Sequence, residues 1–426
     1  MDLEKNIRER CRVNTNDEGE NFVGVKADTS DAVIYFPIGY SLPENDDDLR
    51  TDINNLFMVL AAFMKEDRLI EDSKFAAPRS VDFPMHAYIK VIRGFLRAGR
   101  YYVETDPRYR TDTKGNASWP RTVREQRALV QKNGSLVFTN MTVRSVTPNA
   151  NKKITQIHRY CVYKAFEKMG WLYVPYMPEQ PGPHPETKEA LYILTQKLAS
   201  TNNDVEQELF SAMRDMLLYE DEKNDDKQYF FGTDFFERVW ERMVDKAFGI
   251  EDKEQYFPRT RWLLDYGRNK KKPALQPDSI MIYGGKTYVL DSKLYRYGWS
   301  ANPDHLPNGP DINKQITYAE YVERAMGVPS ENLYNAFIMP FDRNDNLFKT
   351  LDDKGEPVPD IPGVMGNIGE AVGDWKPNPK NYERVQGIVM DTRFLMYNYI
   401  GMPDEKKKEL AEAIQKVNTR DPVPKP

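Results

Sequence analysis

Residues 276–293 read QPDSIMIYGGKTYVLDSK, and the pattern on either side of the Gly-Gly pair decides the fold around it. Residues 280–283 and 287–290 are β-branched, aromatic or aliphatic. Gly284-Gly285 between them supplies the positive φ angles that a two-residue hairpin turn needs. Such a turn fixes the register: Tyr283 faces Lys286, Met281 faces Tyr288, and Asp278 faces Asp291. Directly opposed residues share a face of the sheet, with Cβ atoms roughly 4.5–5.5 Å apart. Two carboxylates held that close repel one another, and a divalent cation between them turns the repulsion into binding. Alternation along the strand puts Lys293 on the same face as Asp291. The pattern therefore predicts two acids and one base on one face, at the end of a largely apolar strand pair.

The whole chain limits what surrounds this hairpin. It has 426 residues, of which 29% are charged and 12% aromatic, enough for two or three domains with real cores and unlike a disordered segment. The net charge of −5 does not mark a nucleic-acid binder, so any contact with DNA has to come from a local basic patch. Cys11 and Cys161 do not stand in a metal-ligand spacing, and His86, His158, His184 and His305 are scattered. A disulfide framework and a zinc site are therefore not expected. The first residues, MDLEKNIRER, carry no apolar signal region, and no apolar run is long enough to cross a bilayer. These features predict a soluble cytoplasmic protein with no membrane association. The stretch GEAVGD at 369–374 lacks the Gly-Lys-Ser/Thr ending of a phosphate-binding loop. The chain is thus not expected to hydrolyse nucleotides itself.

The fold class expected is α/β in the broad sense, a mixture of α and β elements. In the N-terminal half, residues 33–36 read as a strand. Residues 52–64 form a helix with an Ile53, Leu56, Phe57, Leu60, Phe63 stripe, and residues 87–96 and 154–168 form two more helices. Asn133-Gly134 marks a hairpin turn. The segment YMPEQPGPHPET at 176–187 holds four prolines and is predicted to separate a mixed N-terminal region, 1–180, from a C-terminal region, 181–426. Residues 188–218 read mostly as helix, followed by an acidic loop at 219–228. Helices at 233–248, 312–326 and 404–417 and strands at 333–340 and 384–390 then surround the hairpin.

The residue types at the hairpin suit hydrolysis of a phosphodiester. That reaction needs an in-line water and a sink for charge in the transition state, and one or two Mg²⁺ ions supply both. Mg²⁺ takes hard oxygen ligands in octahedral geometry and keeps several waters. Asp278, Asp291 and the backbone carbonyl of Ser292 are the candidate ligands, with Mn²⁺ as a substitute ion. Lys293 is the candidate to position or deprotonate the water and to neutralise the phosphate. Pro277-Asp278, twelve residues, then Asp291-Ser292-Lys293 resembles the PD-(D/E)xK nuclease signature, with Asp where many members carry Glu. Nucleases of this kind usually add an acid from a preceding helix. Glu237 and Glu241, four residues apart on one helical face, are the candidates, Glu237 slightly preferred. Gln315 and Tyr318 are candidates to contact the DNA backbone or support the metal shell. Lys270, Lys271 and Lys272 are candidates for phosphate contacts, which position DNA without reading its sequence.

Beyond the signature, four blocks resemble the LlaJI restriction endonuclease family, whose members look like McrC. They are SWPRTVREQRALVQKNGSLVF (118–138), ITQIHRYCVYKAFEKMGWLY (154–173), FFGTDFFERVWERMVD (230–245) and PDSIMIY…YVLDSKLYRYG (277–298). The resemblance implies a C-terminal PD-(D/E)xK nuclease core in an NTP-driven restriction system that cuts double-stranded DNA. It also implies docking of the N-terminal region on a McrB-like AAA+ GTPase ring, a hexamer whose hydrolysis the chain stimulates. Two alternatives stay open: a free-standing type II-like restriction endonuclease, and a non-cleaving activator of an AAA+ NTPase.

Overall fold

The computed structural model describes residues 7–17, 21–27, 32–69, 84–174, 176–183, 185–221, 229–267, 270–271, 274–351, 356–376 and 378–416. The chain forms two compact units, one of residues 82–227 and one of residues 5–81 together with 228–426. The division expected between 180 and 181 thus falls inside the first unit. The proline-rich segment there links helix Lys153–Met169 to helix Thr187–Ser200, and these two helices pack together. Proline stops a helix, but it does not tell a domain boundary from a turn within a bundle. Most of the acidic run at 219–228 lies outside the described residues.

The first unit has a helical core. Helix Met85–Ala98 buries Met85, Ala87, Tyr88, Val91 and Ile92 on one face. It packs against Lys153–Met169 and Asp204–Asp221. The long helix read at 188–218 is two helices, broken at Thr201–Asn203, where side chains of Thr201 and Asn203 bond local groups. Between the helices, an antiparallel ribbon pairs Glu104–Asp112 with Met141–Asn149. A short hairpin, Ala128–Val130 with Leu136–Phe138, turns at Asn133-Gly134 as read from the sequence.

The second unit carries two sheets. One has four strands in the spatial order Cys11–Val13, Ala32–Phe36, Val23–Ala27, Tyr229–Thr233. The other has five, in the order Ser279–Tyr283, Lys286–Ser292, Leu333–Phe341, Val385–Asp391, Met365–Ala371. Its first and last pairs are antiparallel and its central pairs parallel. The mixed α and β architecture expected is the one observed. The central strands are buried on both faces, which is why they read as nearly continuous apolar runs. Tyr256, Ile280, Val289, Val322, Phe337, Met339 and Val389 belong to their core.

Helix Phe236–Phe248 packs on this sheet with Phe236, Val239, Trp240, Met243, Val244, Ala247 and Phe248 buried. Burial of a large apolar side chain is worth ~2 kcal/mol. That outweighs helix-propensity differences of under ~1 kcal/mol per residue, so packing holds this helix. Trp240 also donates its indole N–H to the carbonyl of Ile338, at 3.2 Å.

Candidate active site

The predicted hairpin is present in the predicted register. Tyr283 pairs with Lys286 and Met281 with Tyr288. Gly284 and Gly285 have φ of 57° and 75°, the doubly left-handed turn that matches strand twist. The second strand is the one inserted into the sheet: it runs parallel to Leu333–Phe341, with Asp291 beside Phe337 and Ser292 beside Ile338. The Lys293 amide continues the ladder to the Ile338 carbonyl, at 2.9 Å. Asp291, Ser292 and Lys293 thus sit at the carboxyl end of a strand fixed on both sides.

Asp291 is 2% exposed. Its Oδ2 lies 2.6 Å from Lys293 Nζ, while its buried Oδ1 has no hydrogen-bond partner. Lys314 Nζ stands 3.9 Å from that Oδ1. Asp278 accepts the Ser292 backbone N–H through Oδ2, at 2.8 Å, which ties the two hairpin ends together. The Asp278 carbonyl accepts from Lys253 Nζ at 2.5 Å, and Lys253 also pairs with Asp245 at 2.6 Å.

Burial, followed by the charges of Asp291 and Glu241, pushes the Asp278 carboxyl up to about 7. The Ser292 amide and Lys293 oppose the shift. Glu241 is also raised, by burial first and then by Asp291 and Glu237, against the pull of Lys293. Burial alone would lower Lys293, but the charge and hydrogen bond of Asp291 raise it well above the ordinary lysine range. Burial and mutual repulsion thus favour the protonated forms of Asp278 and Glu241, while Asp291 keeps Lys293 charged.

Glu237 and Glu241 both border a cavity of about 610 Å³, together with Lys293, Arg296, His305 and Asn308. Of the two acids, Glu241 is among the charges that raise Asp278, and Glu237 in turn raises Glu241.

Gln315 and Tyr318 are each 1% exposed, so neither reaches DNA as a surface contact. Gln315 donates to the Val289 carbonyl at 2.7 Å, and Tyr318 to the Gln276 carbonyl at 3.2 Å. They brace the hairpin from helix Gly309–Met326, whose exposed neighbour Lys314 supplies the charge. Lys270 and Lys271 pair with Trp262 and Arg261 in a two-stranded ribbon, and Lys272 lies outside the described residues.

Sequence reading missed the residues that hold the loop after Lys293. Asn16 Nδ2 donates to the Leu294 carbonyl at 3.0 Å, and Arg296 pairs with Asp17 at 2.5 Å. These partners are almost 280 residues apart in the chain, and no local pattern signals such a pairing.

Among the described residues, no group of three or more acidic, histidine or cysteine side chains is arranged to hold a metal ion. The donors on offer are two carboxylates, one with a free buried oxygen. That suits an ion such as Mg²⁺, which uses one or two protein carboxylates and fills its shell with water and phosphate.

No curated protein matches the chain. Among solved structures, it is similar to a chain of the half-complex from the tetradecameric assembly of Thermococcus gammatolerans McrB AAA+ hexamers with bound McrC. The identity is 12% and the TM-score 0.32, over 92% of this chain and 83% of that one. The model of the LlaJI restriction endonuclease family matches residues 22–364, and the chain belongs to that family of nucleases acting on DNA.

Proposed function

We propose that the chain is the Mg²⁺-dependent endonuclease subunit of an NTP-driven restriction system and hydrolyses phosphodiester bonds in foreign double-stranded DNA. The observation that supports this reading is the tie of Asp278 to the Ser292 amide at the hairpin end, next to Asp291 with its Lys293 partner, with Asp291 and Glu241 both raising Asp278. Asp278, Asp291 and the Ser292 carbonyl would hold Mg²⁺ or Mn²⁺ in the PD-(D/E)xK manner. The ion would supply an acidified water and a charge sink. Lys293, held as an ammonium, neutralises the scissile phosphate and orients the attacking water. Glu241 accepts a hydrogen bond from water on the cavity side, and Lys314 adds positive charge behind Asp291.

An AAA+ GTPase ring of the McrB kind is the proposed partner, docked on the N-terminal half and stimulated by it in the cytoplasm. Trp119, Val123, Leu129, Val130 and Leu136 of the first unit are exposed, and exposed apolar groups in such density favour a protein partner. The test is DNA cleavage in Mg²⁺ by wild type and Lys293→Ala, each with and without an AAA+ GTPase of the McrB kind and GTP. Cleavage by wild type only, and only with the partner, is expected. Cleavage by wild type alone would favour a free-standing nuclease. Equal cleavage by both proteins would overturn the site.

A further inference from the structure

Pro258 and Pro277 are buried at the two ends of an arm. Residues 259–267 are all exposed, and Trp262, Leu263 and Tyr266 are 59%, 67% and 92% exposed. Single exposed apolar residues are ordinary, but a run of them on a short ribbon is not. Arg261–Trp262 pairs with Lys270–Lys271, and an isolated two-stranded ribbon is marginal without something to pack on. Residues 259–272 contain six basic residues and one acid, in a chain of net charge −5.

The base of this arm is fixed to the active site. The Leu275 amide donates to the Pro258 carbonyl at 2.9 Å. The Gln276 carbonyl accepts from Tyr318, and the Asp278 carbonyl from Lys253. Only Gln276 and Pro277 separate Leu275 from Asp278, so the arm leaves the core beside the proposed metal ligand.

We propose that this arm binds the duplex DNA flanking the scissile phosphate, with Arg259 and Arg261 on backbone phosphates and Trp262 and Tyr266 packed against deoxyribose sugars at the groove edge. The inference rests on the nuclease reading of the site. Charge selects the occupant: a polyanion bound at Asp278 in the proposed reading continues past a basic, aromatic ribbon attached there. Phosphate contacts supply salt-dependent affinity, and aromatic side chains packed on sugars bury apolar surface whatever the base sequence.

The test uses the full chain carrying Lys293→Ala, so that DNA stays intact, and follows the anisotropy of a fluorescein-labelled duplex against salt. Adding Arg259→Ala and Arg261→Ala is expected to reduce the slope of log K against log salt by about 1–2, at ~0.9 per lost phosphate contact. Adding Trp262→Ala and Tyr266→Ala is expected to weaken binding about tenfold with the slope unchanged. Unchanged melting curves would show that both variants fold. Parent-like DNA binding by both variants would overturn the arm, as would no measurable binding by the parent at low salt. So would parent-like DNA binding combined with loss of the AAA+ partner, which would make the ribbon a protein-docking element. Failure of the nuclease reading is read separately, as cleavage that persists without Lys293.

Discussion

Lys293 shows how the site is balanced one residue at a time. Its ammonium sits 2.6 Å from a carboxylate that is almost wholly buried, and that neighbour keeps it protonated far above neutrality. A lysine acting as general base needs its pKa brought down toward the working pH. In the proposed mechanism Lys293 is therefore given the part of a fixed cation. Lys293→Ala is expected to lower cleavage by about 10²-fold or more, while Mg²⁺ binding measured by calorimetry is retained. Loss of Mg²⁺ binding as well would make its role structural. Asp278 gives the complementary prediction. Its folded value, about 7, lies above the ordinary 3.8, so between those values the folded chain holds a proton that the unfolded chain has released. Folding stability then falls as pH rises through that window and levels off above it. The melting temperature of metal-free protein is expected to drop between about pH 4 and about pH 7, with a smaller drop in Asp278→Asn. Mg²⁺ should raise it more above neutrality than below pH 5, because only the ionised carboxylate binds the ion. An equal Mg²⁺ effect at both pH values would count against Asp278 as a ligand.

The hairpin and the loop behind it form the next scale. The hairpin was legible because its signals are local: two runs of strand formers, a Gly-Gly turn, and a register that holds from Tyr283–Lys286 to Ser279–Leu290. The helix carrying Glu237 and Glu241 was legible for the same reason, through its apolar stripe. Strand Met365–Ala371 was not. Three glycines-or-polar positions, Gly366, Asn367 and Gly369, weaken its strand pattern, and a register shift between Asn367 and Gly369 interrupts its pairing. Strand propensity there is overridden by the neighbouring strand Val385–Asp391. The loop after Lys293 contains the short helical turn Tyr297–Ser300, seated on strand Leu333–Phe341. Gly298 permits that seating, because an added Cβ would collide with the Pro340 carbonyl and the Phe341 side chain. Gly298→Ala is expected to cost about 1–3 kcal/mol, seen in denaturant melts. Cleavage should fall with it, because the displaced loop carries Tyr295 and Arg296 at the cavity. Wild-type stability and activity in this variant would show that the loop is free to move off the sheet.

At the scale of the whole molecule, the second unit is discontinuous: residues 5–81 and 228–426 enclose residues 82–227 in sequence. Strand Tyr229–Thr233 closes a sheet whose other strands come from the first 36 residues. A reading that moves along the chain looks for boundaries in prolines and charge runs, and it has no means of pairing residue 25 with residue 231. The same topology lets the two proposed tasks be separated by mutation. The nuclease residues all lie in the second unit, and the exposed apolar side chains Trp119, Val123, Leu129 and Val130 all lie in the first. Surface substitutions away from packed features usually change stability by under ~0.5 kcal/mol. Trp119→Ser with Leu129→Ser should therefore leave the melting temperature and DNA binding near wild type. If this face receives the AAA+ ring, loss of the aromatic anchor should cost about 2 kcal/mol or more of affinity, roughly thirtyfold. GTP hydrolysis by the partner, titrated with the chain, would then need correspondingly more protein to be stimulated, and partner-dependent cleavage would fall in parallel. Unchanged stimulation would move the docking surface elsewhere. Loss of cleavage with stimulation intact would mean that this face acts on DNA after the ring has bound.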